Sequence, residues 1–223
     1  MLGSITKALA DIFSPLVLKF VLKVGFGSIL FWIVALGAGW SYFEGFVAHY
    51  ISMLPYVGKL IWFQEGGAFV SALILGYTFV IITISILTSL FSEPVLIELA
   101  KKHYPNISPI KGGRVERSLY YTIKANIVFV ILLLLLFPLL FVPILGQIVM
   151  LWLWSIQLKE PTIYDVGTLF IADEKRLLKE SKGGARIIAI ISALFNYIPV
   201  LNIFAPLYAQ IMFLHYILSK ETK

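Results

Sequence analysis

The chain has 223 residues, of which 60% are hydrophobic and 13% charged, with 18 Lys and Arg against 12 Asp and Glu and no cysteine. A soluble domain carries about twice that share of charge, so this chain cannot both coat a globule in polar groups and fill its core. It is a membrane chain, and a disordered segment, a coiled coil and a disulfide-stapled secreted domain are excluded. The length points to a single membrane unit over residues 1–223. The net charge of +6 is first a matter of topology or anionic lipid, then of an anionic solute, and not of nucleic acid.

Residues 1–13 open with Leu2, Ile5, Leu9, Ile12 and Phe13 at helical spacing and Ser4, Lys7 and Asp11 on the other face. That pattern predicts an interfacial helix, and no cleavage site of a removed signal peptide follows it. Ser14 before Pro15 reads as an N-cap with proline in the first turn. A first span is expected over 14–43, ending in the interfacial aromatics Trp40, Tyr42 and Phe43. The second, 66–92, is free of charge throughout. Ser92-Glu93-Pro94 starts a surface helix, and 93–124 is a cytoplasmic helix and loop.

Two further uncharged runs are each interrupted in the middle. Residues 125–158 contain Pro138, Pro143, Gly146 and Gln147, and residues 187–219 contain Asn196, Pro199, Asn202 and Pro206. Each reads as a helical hairpin. With turns at Val142–Gly146 and Ile198–Asn202, the arms measure roughly 25, 16, 18 and 25 Å. The short arms fall below about 30 Å of hydrocarbon, so both hairpins are expected to enter part way and return. Turns at depth need cover, which implies a homo-oligomer or an aqueous cavity at the tips. The two turns echo one another, and Leu54–Gly58 is a looser third copy. In this pattern proline presets the first turn angle, and glycine or asparagine three residues later takes the left-handed conformation. Between the hairpins, 159–186 is a cytoplasmic segment in which Asp173 caps a charged helix from Glu174. The fold class is therefore all-α: two long transmembrane helices, two partly inserted hairpins and amphipathic surface helices.

The segment Glu93–Lys124 holds Lys101, Lys102, Lys111, Arg114, Arg117 and Lys124 against Glu93, Glu98 and Glu116, whereas Glu44–Glu65 holds Lys59 against its two acids. The positive-inside rule then puts both termini in the cytoplasm.

No enzymatic motif is present: no H-E-x-x-H, no phosphate loop, no dinucleotide fingerprint. An enzyme is not expected, nor a cofactor. His49, His103 and His215 lie in three distant segments, so no metal site is expected. Acidic residues avoid the spans, which leaves a proton relay without a candidate. Gln147, Asn196, Asn202 and Gln210 sit near the hairpin turns and either line a wet path or satisfy backbone groups freed by proline. Ser14, Lys19 and Lys23 make a candidate anion site, where a helix N-terminus and one charge a turn away meet an oxyanion. The same lysines also fit a role as headgroup anchors.

The order of Ser14-Pro15, Ser92-Glu93-Pro94-Val95, Pro143-Ile-Leu-Gly-Gln, Asp173-Glu-Lys-Arg-Leu-Leu and Ile198-Pro-Val-Leu-Asn resembles the CysZ-type sulfate permeases and the related etoposide-induced proteins. The likeness runs from about Ile12 to Ile217. It implies a multimeric protein of the bacterial inner membrane that admits sulfate for cysteine synthesis through a channel-like pore. It also implies a Gly-Leu-Arg-Arg sulfate site after the proline; here Pro15 is followed by Leu16-Val17-Leu18-Lys19, so Lys19 alone keeps a charge. A non-conducting membrane scaffold is the alternative function. A lipid-binding role for Lys101, Lys102, Lys111, Arg114 and Arg117 is a third.

Overall fold

A computed structural model describes residues 2–53, 61–110, 112–180, 182–198 and 201–222. The third copy of the turn, Lys111 and Pro199–Val200 of the second turn lie outside the described residues. The elements are α1 (Leu2–Ile12), α2 (Pro15–Ala38), α3 (Trp40–Ser52), α4 (Ile61–Phe91), α5 (Glu93–His103), α6 (Val115–Leu136), α7 (Leu145–Gly167), α8 (Glu174–Glu180), α9 (Lys182–Leu194) and α10 (Ala205–Glu221). Short 3-10 turns lie at Phe137–Phe141, Phe195–Tyr197 and Leu201–Ile203, and there is no strand among the described residues. The chain is an all-α membrane protein. It packs as two compact units, Leu22–Thr88 and the remainder, where length alone pointed to one.

The unit Leu22–Thr88 is made of lipid-facing helices. Helices this apolar are solvated by lipid and need little burial: only 17% of the most apolar window is buried in either α2 or α4. What holds them together is local. Trp32 donates its indole N–H to the Thr83 hydroxyl at 2.8 Å and stacks on Phe79 with ring centroids 4.5 Å apart. The first span is shorter than expected, because α2 stops at Ala38 and Gly39 separates it from α3, which carries Trp40, Tyr42 and Phe43.

The other unit is built around α10, in which every residue from Leu207 to Leu218 except Gln210 is buried. A helix apolar on all sides belongs in a core. Its apolar surface is covered by protein: α1, α5, α7 and α9 pack on it. The inward face of α1 is mixed, with Ser4, Ala8, Asp11 and Ile12 buried while Leu2, Leu9 and Phe13 stand exposed. The surface helices start where the caps indicate. α5 begins after Ser92 with Pro94 in its first turn, and the Asp173 carboxylate accepts from the Arg176 N–H at 3.0 Å at the head of α8.

The first hairpin departs from expectation in length and in turn chemistry. Helical structure runs from Val115 to Phe141, 27 residues or roughly 40 Å, so a third helix is long and apolar enough to cross. Its partner α7 has 23 residues, about 35 Å. The expected arms ended at Lys124 and Lys159 because an ionised group usually closes an apolar stretch; here the helices continue through both. The positive φ falls on Ile144 (φ 67°, ψ −52°), not on Gly146. The Leu145 N–H meets the Pro143 carbonyl at 2.7 Å, which makes a γ-turn centred on Ile144. Gly146 is needed for a different reason: a Cβ there would lie 2.4 Å from the Leu140 carbonyl oxygen.

Candidate functional site

α6 and α7 run antiparallel, and polar side chains meet across them in register. The Ser118 hydroxyl donates to Asp165 at 2.6 Å, Lys124 to Glu160 at 2.9 Å, and the Gln157 amide to Asn126 at 2.6 Å. From Ser118 to Asn126 this seam follows α6 for roughly 12 Å. These charges adjoin the apolar run of the hairpin, where pairing lowers the cost of carrying them. Pro161 lies inside α7 and removes the bond to the Gln157 carbonyl, loosening the helix beside the seam.

Above the seam, the loop before α6 is pinned to the end of α7. The Gly113 N–H donates to the Thr168 hydroxyl at 3.1 Å and the Arg114 N–H to the Tyr164 hydroxyl at 2.9 Å. A Cβ on Gly113 would lie 2.7 Å from both hydroxyl oxygens, so only glycine brings the backbone this close. Two cavities share this wall. One, of about 390 Å³, is lined by Arg114, Arg117 and Glu174; the other, of about 250 Å³, by Glu93, Ser118, Asp165 and Gln210. Between Arg117 and Tyr121, Glu174 accepts hydrogen bonds of 2.6 and 2.8 Å. Burial alone would raise the Glu174 pKa, but these two bonds and the Arg117 charge hold it below the ordinary carboxylate value. The arrangement offers an ion fixed charges of both signs in a polar passage.

Ser14 sits at the head of α2, where its hydroxyl accepts from the Val17 N–H at 3.4 Å. Lys19 and Lys23 are exposed on α2. Gln147 is exposed near the first hairpin tip, and its carbonyl accepts from the Tyr197 hydroxyl at 2.8 Å, tying the two hairpin tips together. Asn196 and Asn202 are half-buried in the 3-10 turns of the second hairpin. Gln210 alone of these residues lines a cavity beside the seam, and its buried Oε1 accepts no hydrogen bond among the described residues.

His103 and His215, remote in sequence, come together on Asp11. The carboxylate receives His215 Nε2 at 2.8 Å, His103 Nε2 at 2.9 Å and the Lys102 ammonium at 3.1 Å. Among the described residues this is the donor set that could hold a metal ion, its ligand atoms all within 4.8 Å. Its electrostatics oppose one. Lys102 already neutralises the carboxylate, and the Lys7 ammonium stands 4.7 Å over the Tyr104 ring, whose hydroxyl contacts His215 Nδ1 at 3.2 Å. The cluster acts as a clip joining α1, α5 and α10. Burial works to raise the Asp11 pKa, yet the bonds from His215, His103 and Lys102 hold it far below the usual range.

A family model described as sulfate transporter CysZ/etoposide-induced protein 2.4 matches residues 4–206. The chain belongs to this family. Neither a curated protein nor a solved structure matches it. The family match takes in the whole of the α6–α7 seam and the cavity at Arg114 and Arg117, and it ends at Pro206, before Gln210 and most of α10.

Proposed function

We propose that the chain is a channel-like permease for sulfate or a similar oxyanion, acting in the bacterial inner membrane without ATP hydrolysis and feeding cysteine synthesis. It is not an enzyme in this reading, and its termini face the cytoplasm. The observation that carries it is the polar seam: a transport-family membrane protein holds paired charges and amides through an otherwise apolar hairpin, beneath a cavity walled by Arg114 and Arg117. A pore needs moderate rather than tight binding, and paired sites that an anion can enter by displacing a carboxylate meet that need. Ser14, Lys19 and Lys23 add a weaker anion site, and Gln147, Asn196, Asn202 and Gln210 belong to the lining. The chain forms a homo-oligomer in the bilayer, which covers the turn of the second hairpin.

The test is uptake of radiolabelled sulfate into liposomes carrying the purified protein. Arg117→Gln removes one charge-assisted contact and is expected to lower flux about tenfold; Lys19→Ala lowers it less. Uptake no greater than in empty vesicles would reject a conduit and leave the non-conducting scaffold.

A further inference from the structure

A second basic site lies on the flank of the first hairpin. A groove of about 300 Å³ between α6, α7 and α9 gathers Lys124, Lys159 and Arg186 around the single carboxylate of Glu160. Lys124 and Lys159 are the charges that bound the uncharged run 125–158, and Arg186 opens the run 187–219. All three therefore stand where polar chain gives way to apolar chain, the level of lipid headgroups. The rest of the wall is apolar, with Val128 and Leu132 continuing along α6. Arg186 is exposed, with its guanidinium carbon 5.7 Å from the centre of the Trp152 ring, a cation–π contact at the mouth of the groove.

A free dianion would use the charged floor and leave the apolar wall bare. A zwitterionic headgroup would bring a second cation to three already there. We propose that this groove binds an anionic glycerophospholipid, its phosphodiester on Lys124, Lys159 and Arg186 and an acyl chain along Val128 and Leu132. The volume suits a headgroup and the first part of a chain, not a whole lipid. The site stands independently of whether the protein conducts sulfate.

Native mass spectrometry of the purified full chain in neutral detergent tests this, with phosphatidylglycerol, phosphatidylcholine, deacylated glycerophosphoglycerol and inorganic sulfate as probes. Phosphatidylglycerol is expected to be retained over phosphatidylcholine, and neither the deacylated headgroup nor sulfate is expected to displace it at equal concentration. Combining Arg186→Gln with Lys159→Gln should weaken retention about thirtyfold, roughly fivefold for each charge removed, while Lys175→Gln on α8 leaves it unchanged. Equal retention of both lipids, displacement by sulfate as readily as by lipid, or an unaltered double variant would each overturn the proposal. Should the double variant not fold, the competition on the unmodified chain decides.

Discussion

Ile144 occupies a conformation that L-residues rarely adopt, and a β-branched one least of all. The turn keeps it there because Pro143 fixes the preceding φ and the Pro143 carbonyl closes on the Leu145 N–H. Substituting Ile144→Gly is expected to be nearly neutral in thermal unfolding, since relief of about 1 kcal/mol of strain is offset by the added freedom of the unfolded chain. Gly146→Ala is the contrasting case. Its methyl group would collide with backbone, which cannot yield as a side chain can, and a loss of about 2 kcal/mol or more is expected. At Asp11 the partners decide the outcome. Asp11→Asn leaves two rings and an ammonium facing an amide, and a loss of about 2 kcal/mol should appear as a lowered melting temperature, smaller than for a wholly buried pair because Lys102 is 60% exposed.

The clip between α1, α5 and α10 responds to acid. His215 has its pKa lowered, chiefly by burial and against the pull of Asp11, and Asp11 has its own lowered. Each is therefore worth most above its unfolded value: the His215 contribution is lost as pH falls below about 6.5, and the Asp11 contribution only in much stronger acid. Amide protection factors, with the intrinsic pH dependence of exchange divided out, should fall in α1 between pH 7 and pH 5 and stay unchanged in α6. A double-mutant cycle on Lys124 and Glu160 should return a coupling of about 0.5–1 kcal/mol, because both side chains are partly exposed. How much of this was readable depends on reach along the chain. The helix starts at Ser92 and Asp173 were legible because a cap is settled within four residues. The seam was not, because Lys124 and Lys159 read singly as the ends of an apolar run, and only the facing arm pairs Lys124 with Glu160. Asp11 and His215 lie 204 positions apart, and no local pattern links them. The turn at Pro143 was visible, but the strained residue was assigned to the glycine that tolerates strain, when that glycine is present for a close backbone contact.

At the scale of the molecule, hydropathy identified the medium correctly and the partner incompletely. The apolar length of α10 reads like a lipid-facing arm, yet protein surrounds it; the apolar length of α6 is exposed along nearly its whole course, with 6% of its most apolar window buried. The same composition thus served a core helix and a membrane-facing one, and only packing tells them apart. The first hairpin has the length to cross fully. Phe141→Cys at its tip is expected to react with an impermeant maleimide from the side opposite to Lys175→Cys on α8, and labelling of both from one side would show that the hairpin stops short.

The encased position of α10 also sets an order of assembly. His215 emerges from the ribosome 204 residues after its partner Asp11. Until then Asp11 has only its α5 partners Lys102 and His103, and the face of α1 that α10 covers stays bare. Docking of α1 is thereby a signal that α10 has arrived, and nascent chains halted before α10 should remain open to quality-control proteases at α1.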